Sequence, residues 1–402
     1  MADLGLTGRR VLVTGGTGFI GGRLVAKLVG EHGAEVRVLV RRFSSTARLA
    51  RFPVELVQGD LRDAAAVASA ARDCPFVFNC AYGSDGDAEA QRAVNVEGTR
   101  HILEADPGSS PRERVVHLST VSVYGEARDG VLDESAPSRP SGGVYSDTKL
   151  ESEELVLRNA RAHGFPGTVL QPTLVYGPFA PSWTVRVLRE MRSHRVILVD
   201  GGGGLCNPVY VDDVVDAMLL AAVRKEAVGE RFLVSGPQPV TWREFFRRHE
   251  EMLGEPSTVD LSARDALALQ RRATKRRLFL AELLAAVRES PTIRERLRGT
   301  WEVRLARKLG ALLVPGRLRR RRAAAPGTRG ATSSAAPQAL HPTEPKPVQA
   351  LSPGQVRFYA AKPSVSIRKA RDLLGYAPAF DFAAGTRRTE QWARWARLAP
   401  SG

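Results

Sequence analysis

The fold is decided by residues 11–22, which read VLVTGGTGFIGG. An apolar run at 11–14 leads into closely spaced glycines, and a helical pattern at 22–29 follows them. Glycines allow a tight turn and a close approach of the backbone to a pyrophosphate, to which the next helix presents free N–H groups. A strand before the glycines and a helix after them is the context that this motif requires. The stretch therefore predicts a dinucleotide-binding strand–turn–helix unit.

Similar strand-like runs alternate with helical patterns as far as residue 175. Each run is short and rich in Val and Leu, and we predict strands at 11–14, 35–40, 55–58, 76–80, 114–119 and 167–171. Continuous apolar strands separated by helices are typical of a parallel sheet covered on both faces. The pattern predicts the α/β class, with a Rossmann-type doubly wound parallel sheet.

The rest of the chain predicts three further parts. We expect a dinucleotide-binding domain at 1–175 and a small, largely C-terminal substrate-binding part from 176–261 and 354–402, with helices near 367–374 and 385–398. A basic helical insertion at 262–322 and a flexible linker at 323–353 separate the two pieces of that part. The linker is rich in Pro, Ala, Gly, Ser and Thr, a composition that cannot bury enough apolar surface to become ordered.

Charge is concentrated in one segment. The 402 residues carry a net charge of +16 and are 43% hydrophobic, a globular composition. Between residues 264 and 329 there are 19 Lys or Arg and 5 Asp or Glu, so the remainder of the chain is nearly neutral. The basic pI therefore belongs to one appendage and does not by itself indicate a nucleic-acid binder.

The cysteines and the N-terminus indicate a cytoplasmic protein. The three cysteines, Cys74, Cys80 and Cys206, form no CxxC pair, so we expect neither a disulfide framework nor a metal site. The first strand pattern begins near Arg10 and leaves no room for a signal peptide. No apolar run approaches the roughly 18 residues that a membrane span needs.

The end of the second predicted strand should select the cofactor. An acidic residue there binds a ribose 2′-hydroxyl, whereas arginine accommodates a 2′-phosphate. This chain has Arg41 and Arg42 at that place, which favours NADP, with NAD as the alternative. Asp60, at the end of the third predicted strand, is a candidate acceptor for the adenine amino group.

The candidate chemistry lies at the start of a helix predicted over 145–162. Tyr145 and Lys149 are four residues apart and so share one helix face. A nearby ammonium can lower the pKa of a tyrosine, which is otherwise about 10, so that the phenol can exchange a proton with a substrate hydroxyl. Thr120, at the carboxyl end of the preceding predicted strand, can bind the same substrate oxygen.

These motifs together resemble the extended short-chain dehydrogenases/reductases, the NAD-dependent epimerase/dehydratase family. The matching stretches, which fall within 9–260 and 356–398, are 14–21, 59–61, 95–99, 118–125, 145–149, 172–178, 209–214 and 369–378. The resemblance implies that Thr120, Tyr145 and Lys149 are the catalytic residues. It implies a homodimer formed through helices near 95–105 and 145–162. The predicted cofactor-binding residues are Gly15, Gly18, Phe19, Ile20, Gly21, Arg41, Arg42, Asp60, Leu61, Ala81, Tyr82, Asn95, Tyr145, Lys149, Pro172 and Thr173.

Four departures from the family pattern narrow the chemistry. Sugar-nucleotide 4,6-dehydratases carry Asp-Glu after the catalytic threonine, where this chain has Val121 and Ser122. Elimination of water needs an additional acid and base, so we do not expect that reaction. Many sugar-nucleotide members also have arginines at the positions of Gln171 and Cys206. Some features, including the basic end of the second strand, resemble 3β-hydroxysteroid dehydrogenases and flavanol reductases.

Three functions remain open. The first is an NAD(P)-dependent epimerase or oxidoreductase that acts on a secondary alcohol or ketone of a nucleotide-linked or lipid-linked sugar. The second is an NADP-dependent reductase of an apolar hydroxy or keto substrate such as a steroid, terpenoid or polyketide. The third is a non-catalytic dinucleotide-binding protein, against which the complete trio of candidate catalytic residues argues.

The basic segment has three readings as well. Apolar residues recur at helical spacing beside arginines between 271 and 322, a pattern typical of a helix lying on an anionic membrane. The same pattern fits a helical lid packed on the body, with its arginines in solvent. Nucleic acid is the least favoured partner, because no series of aromatic residues accompanies the arginines. We therefore predict a cytoplasmic protein in which the segment forms a lid, and peripheral contact at the inner face of the membrane is a second prediction that is compatible with the first.

Overall fold

The computed structural model describes residues 4–289 and 346–400. The chain forms two compact units. The first comprises Met1–Ala266 together with Pro347–Gly402, and the second comprises Leu267–Lys346.

The described strands follow one another in chain order. They are β1 Arg10–Thr14, β2 Glu35–Val40, β3 Glu55–Gln58, β4 Phe76–Asn79, β5 Arg114–Leu118, β6 Gly130–Leu132, β7 Gly167–Pro172, β8 Leu174–Tyr176, β9 Val196–Val199, β10 Leu205–Cys206, β11 Pro208–Tyr210, β12 Arg231–Val234, β13 Val240–Thr241, β14 Thr258–Leu261 and β15 Pro363–Val365.

The described α-helices are numbered in the same way. They are α1 Phe19–Gly30, α2 Ala64–Ala71, α3 Ala88–Arg92, α4 Gly98–Glu104, α5 Val144–His163, α6 Val187–Ser193, α7 Val211–Val223, α8 Trp242–Leu253, α9 Ala263–Glu289, α10 Pro353–Ala360, α11 Arg368–Leu374 and α12 Phe382–Trp395. Short 3-10 and π-helical turns lie between them.

A seven-stranded parallel sheet organises the first unit. Its order is β12-β7-β5-β4-β1-β2-β3, so the strand order reverses between β1 and β4. Alternate residues of β1 face opposite layers: Val11 and Val13 pack with α1 and α7, whereas Leu12 packs with α2, α4 and α5. Both faces of the sheet are therefore covered, and the predicted doubly wound Rossmann-type fold is confirmed. Ligands bind such sheets in the crevice at the carboxyl ends of the strands where the order reverses.

Six of the seven sheet strands are those that the sequence predicts. The prediction missed the seventh, β12, which lies at the sheet edge and pairs with β7 in the register Arg231↔Val169. This strand is only four residues long and lies in a part of the chain where no strand was predicted. Its place is set by pairing with a distant strand, which local periodicity does not report.

The part of the first unit that lies outside the seven-stranded sheet contains an aromatic cluster. Trp242 is fully buried, and its ring lies 5.4 Å from Phe245 and 5.3 Å from Phe358, measured between centroids. Trp183 lies 5.9 Å from Trp242. Four two-stranded pairs complete this part: β6 with β15, β8 with β11, β9 with β14 and β10 with β13.

The linker predicted at 323–353 extends too far toward the C-terminus. The amide of Arg195 donates to Pro347 O (2.9 Å), the amide of Gln349 donates to Arg195 O (3.1 Å), and Leu351 is buried. Ser352 and Gln355 then form a reciprocal capping box at the start of α10, with Pro353 in its first turn. Proline is favoured at that position, so the residue that suggested a linker begins a helix. Residues 347–353 therefore belong to the first unit.

The second unit is described only in part. Within it, α9 continues to Glu289, so the first part of the predicted basic insertion is helical. The remainder of the predicted insertion, 290–322, and the linker residues 323–345 lie outside the described residues. In the part of the chain that the structure describes, no helix combines the length and the apolar character needed to cross a membrane.

Candidate active site

A cleft of about 830 Å³ lies at the carboxyl ends of β1, β4 and β5. It brings together most of the predicted site residues from both halves of the Rossmann sheet. They are Gly15, Gly18, Phe19, Ile20, Gly21, Arg41, Asp60, Leu61, Ala81, Tyr82, Thr120, Tyr145, Lys149, Pro172 and Thr173. Arg42 and Asn95 do not line it. The prediction missed Ser45 and Trp183, which also line the cleft but belong to no recognisable motif.

The glycine turn is shaped so that only glycine fits. Gly15 has φ +69°, and a Cβ there would lie 2.7 Å from the backbone nitrogen of Ala81. A Cβ at Gly21 would lie 2.4 Å from Gly15 O. Gly18 is the N-cap of α1, where no side chain accepts from the first N–H groups of the helix, and it lines the cleft. The turn therefore fits the pyrophosphate of a dinucleotide at a helix N-terminus.

The next two strand ends place charged groups along the cleft. Arg41, at the end of β2, is exposed and lines it, whereas Arg42 lies beside it and outside the lining. Arg62 donates to both carboxylate oxygens of Asp60, from Nε at 3.0 Å and Nη2 at 2.9 Å. These bonds outweigh partial burial and lower the pKa of Asp60. Asp60 therefore remains an ionised acceptor at the expected adenine end of the cleft.

The start of α5 places the candidate catalytic side chains. Tyr145 is in the first turn of α5, and its side chain is 42% exposed to the cleft. Lys149, one turn further, is buried and donates from Nζ to Leu118 O (2.7 Å) at the end of β5. Thr120 follows β5 and caps a short 3-10 helix by accepting from the Ser122 amide (3.2 Å). The three residues therefore reach one cleft from two neighbouring elements.

Burial sets the protonation of this group. Although Tyr145 is partly exposed, the protein around it excludes enough water to raise its pKa, and a hydrogen bond with Thr120 opposes that rise only in part. Burial also lowers the pKa of Lys149 to about 8, while Glu153, one turn along α5, favours the charged form. At neutral pH the phenol of Tyr145 is protonated and the amine of Lys149 is largely cationic. In the protein without cofactor, Tyr145 is thus a proton donor.

Asn95 acts behind the cleft. Its Oδ1 accepts from the Gly83 amide (2.8 Å), and its Nδ2 donates to the hydroxyl of Thr148 on α5 (3.2 Å). The residue was predicted to bind cofactor. Its described contacts instead tie the loop after β4 to the helix that carries Tyr145 and Lys149.

A second cavity of about 590 Å³ adjoins the cleft, and Thr173 lines both. Residues 121–139 supply one part of its lining, and Leu174, residues 205–207 and several residues between 354 and 365 supply the rest. Apolar side chains such as Leu132, Leu174 and Phe358 form much of the lining. Charged residues line it as well, namely Arg128, Asp129, Arg139 and the ion pair of Arg357 with Glu126. The cavity begins at Val121, next to Thr120, and extends to residues between 354 and 365.

Cys206 and Gln171 stand at the two positions where many sugar-nucleotide members have arginine. Cys206 lines the second cavity, is buried, and its thiol contacts Val240 O at 3.5 Å. Gln171 is buried in β7, where its Nε2 donates to both oxygens of Glu153 (3.0 and 2.9 Å) and its Oε1 accepts from Tyr124 (2.9 Å). Neither residue brings a positive charge to the cavity.

A doubly wound sheet with a glycine turn and a Tyr145–Lys149 pair at the strand ends has the architecture of an extended short-chain dehydrogenase/reductase. Residues 11–235 match the model of the NAD dependent epimerase/dehydratase family. The chain belongs to that family. The family description names NAD, so a nicotinamide dinucleotide is the cofactor class of the cleft.

Several curated relatives are about one third identical to this chain over the aligned residues. A ketoreductase of Stigmatella aurantiaca, which acts on 4-hydroxy-2-methyl-3-oxo-4-farnesyl-3,4-dihydroquinoline-1-oxide, is 33% identical over 59% of this chain and 71% of its own length. Sterol demethylase protein B of Methylococcus capsulatus is 33% identical over 67% of this chain and 83% of its own. The human short-chain dehydrogenase/reductase family 42E member 1 is 34% identical over 62% of this chain and 69% of its own.

Solved structures share the fold at lower identity. The epimerase Mth375 of Methanothermobacter thermautotrophicus has a TM-score of 0.66 at 19% identity, covering 98% of this chain and 96% of its own. The UDP-glucuronic acid 4-epimerase of Bacillus cereus, in complex with NAD, has a TM-score of 0.63 at 18% identity and covers 98% and 99%. These similarities support the same fold for the described part of the chain.

Proposed function

We propose that this protein is an NADP(H)-dependent oxidoreductase that interconverts a ketone and a secondary alcohol on an apolar substrate, such as a steroid, a terpenoid or a polyketide. The bound dinucleotide supplies the hydride. The chain makes three contributions: a cleft that orients the dinucleotide, a proton, and a cavity that holds the substrate.

The second cavity is the observation that carries this proposal. It adjoins the candidate catalytic residues, and apolar side chains form much of its lining. Transfer of apolar surface from water into such a cavity is favourable, at roughly 25 cal/mol per Å². Arg128 and Arg139 also line the cavity, and Arg357 is paired with Glu126, but positions 171 and 206, where sugar-nucleotide members carry arginine, are neutral in this chain. The cavity therefore favours the apolar substrate over a nucleotide-linked sugar.

The names of three relatives also favour an apolar substrate. One is a ketoreductase of a farnesylated quinoline oxide, another is a sterol demethylase protein, and a third is a 3β-hydroxysteroid dehydrogenase/isomerase of Mycobacterium tuberculosis, 28% identical over 63% of this chain. Each name includes a largely hydrocarbon compound. We carry over only this shared class of substrate.

The protonation of Tyr145 favours ketone reduction. A carbonyl oxygen that becomes a hydroxyl needs a proton donor within hydrogen-bond reach, and the raised pKa keeps this phenol protonated. Thr120 can hold the same oxygen from the end of β5. Lys149 bears a buried charge beside them, and that charge favours the phenolate which remains after the proton has left.

Cofactor-dependent turnover tests the proposal. The purified chain is incubated with NADPH and either steroid and terpenoid ketones or UDP-linked sugars, and oxidation of NADPH is measured by absorbance. We expect net oxidation with at least one apolar ketone and none with the sugars. Tyr145→Phe removes one hydroxyl and should lower kcat by about three orders of magnitude while NADPH affinity is unchanged.

Two results contradict the proposal. Epimerisation of a UDP-sugar without net oxidation of NADPH would establish the alternative function. Full turnover of a ketone by Tyr145→Phe would show that another group donates the proton.

A homodimer through α4 and α5 is part of the proposal. The outer faces of these helices carry ion pairs, including Arg100 with Glu97 (3.0 Å) and Arg158 with Glu154 (3.3 Å). An interface of this composition depends on charge, and salt screens exposed charges. We expect analytical ultracentrifugation to show a dimer whose dissociation increases with salt concentration; a salt-insensitive monomer contradicts this.

Peripheral contact with an anionic membrane through 271–322 is also proposed. Each basic residue near an anionic surface contributes about 1 kcal/mol, so this segment has ample charge. In sedimentation with vesicles, binding should need phosphatidylserine, weaken with salt and disappear when 271–322 is deleted. Equal binding to neutral vesicles, or binding that survives the deletion, contradicts membrane contact through these charges.

A further inference from the structure

We infer that Tyr82 is a positioning residue for the candidate catalytic pair, and that its ring holds Tyr145 in the orientation that proton transfer needs. The inference rests on the proposed function and deepens it. Tyr82 lies in the loop that follows β4, two residues after Cys80, and lines the same cleft as Tyr145 and Lys149.

The ring of Tyr82 contacts both members of the pair. Its centroid lies 5.0 Å from that of Tyr145, with an angle of 87° between the ring planes. The Nζ of Lys149 lies 5.6 Å from the same centroid. Edge-to-face rings attract because the positive edge of one meets the negative face of the other, and a cation is attracted to that face as well. One aromatic side chain thus links the proton donor to the charge beside it.

Tyr145 needs this support because the cleft leaves it partly unrestrained. Its side chain is 42% exposed, and among the described residues Tyr82 is the aromatic ring that packs on it. A tyrosine at the mouth of a cleft can rotate away from the substrate oxygen. A packed neighbour restricts that rotation, and misplacement of a reacting group by about 1 Å can lower a rate about a hundredfold.

The loop that carries Tyr82 is held at both of its ends. The amide of Cys80 donates to Thr14 O (3.2 Å), next to the glycine turn. The amide of Gly83 donates to Asn95, whose own amide donates to Thr148 between Tyr145 and Lys149. The same short loop is therefore bonded to the cofactor turn and, through Asn95, to the catalytic helix.

The phenol oxygen of Tyr82 contributes less than its ring. It donates one long hydrogen bond to Gln91 Oε1 (3.4 Å), away from the pair. Both contacts with Tyr145 and Lys149 are made with the ring. The role therefore needs an aromatic residue and does not need the hydroxyl, and this distinction makes the inference testable.

Two substitutions separate the ring from the hydroxyl. Tyr82→Leu keeps apolar bulk but removes the ring, and Tyr82→Phe keeps the ring. We expect Tyr82→Leu to lower kcat for ketone reduction by about tenfold to a hundredfold, with little change in KM. Tyr82→Phe should retain kcat within about twofold of the parent. Calorimetry with NADPH and thermal melting should show that both variants bind cofactor and are folded.

An independent readout is the spectrum of the protein labelled with 13C-tyrosine. The resonance of Tyr145, identified by its loss in Tyr145→Phe, should carry a ring-current shift in the parent and in Tyr82→Phe. That shift should disappear in Tyr82→Leu. This measurement needs no substrate.

The outcomes separate the inference from the proposed function. Parent-like kcat in Tyr82→Leu, or equal loss of kcat in both variants, overturns the inference while the proposed function stands. A loss in Tyr82→Leu confined to NADPH affinity also overturns it, because the ring would then only bind cofactor. A parent that reduces no ketone removes the proposed function, and the Tyr145 resonance then decides whether Tyr82 holds that ring.

Discussion

The cleft and the adjoining second cavity are built in different ways. The cleft draws its lining from the ends of neighbouring parallel strands, where glycine turns and short polar stretches follow each strand directly. The second cavity is assembled from four stretches that are far apart in the chain, between 121 and 365. The cleft can bind a cofactor that many reactions share, whereas the lining of the second cavity can change without disturbing the sheet. A common cofactor site and a variable substrate site are the expected result.

The largest expected effect comes from a substitution that disrupts the cleft and leaves the second cavity intact. Gly15→Ala places a Cβ 2.7 Å from the backbone of Ala81 at φ +69°, so the turn must open. We expect a loss of about 3 kcal/mol in cofactor binding, about a hundredfold in Kd, measured by calorimetry with NADPH. Gly30→Ala is the matched control, because nothing lies within 4 Å of its Cβ. Equal binding by both variants would show that the turn does not cradle the dinucleotide.

The next prediction compares catalysis with stability at Lys149. Burial lowers its folded-state pKa from 10.5 to about 8, so the unfolded chain holds more protons between these pH values. The parent should therefore gain stability as pH rises from about 8 to 10.5. Lys149→Met should remove that slope and raise the free energy of unfolding at pH 7 by on the order of 2 kcal/mol, while abolishing turnover.

Lys225→Met serves as the control for that experiment. Lys225 is exposed, so its replacement should leave the stability and its pH dependence as they are in the parent. Chemical denaturation at several pH values measures both variants. A less stable Lys149→Met would mean that the bond from Nζ to Leu118 O outweighs the cost of burying the charge.

A third prediction concerns the two arginines after β2. Arg41 lines the cleft and Arg42 does not, so only Arg41 should contact a 2′-phosphate. Arg41→Ala should weaken NADPH binding about tenfold and leave NADH binding unchanged, since a charge-assisted hydrogen bond contributes about 1.5 kcal/mol or more. Arg42→Ala should change neither. Equal NADPH and NADH affinities in the parent would refute the assignment of NADP.

The smallest effect belongs to the second cavity. Val131 lines it and is 75% exposed, so Val131→Asp should fold normally while making the lining less apolar. We expect KM for an apolar ketone to rise about fivefold, with NADPH affinity unchanged. Val228→Asp is the matched control, because Val228 is also exposed and lies outside the lining. Equal KM values in Val131→Asp and Val228→Asp would show that the substrate does not bind in this cavity.

The same contrast explains which features the sequence predicts. The glycine turn, Tyr145 and Lys149 are set by local spacing, and the structure places them in one cleft. Asn95 and Arg42 match the family pattern equally well but lie off the cleft, because a pattern gives position along the chain and not the direction of a side chain. The second cavity depends on pairings such as β6 with β15, between residues more than two hundred positions apart. No local periodicity encodes such a pairing.

The return of the chain beside Arg195 bears on how the protein tolerates changes in length. β14, the last strand before the second unit, pairs with β9, and Val348 pairs with the residue just before β9. The chain thus leaves the first unit shortly after β14 and returns to it beside the start of β9. Because both ends are fixed by pairing within the first unit, the sequence between them can change without altering the strands of that unit, which makes this junction a natural place to exchange one appendage for another.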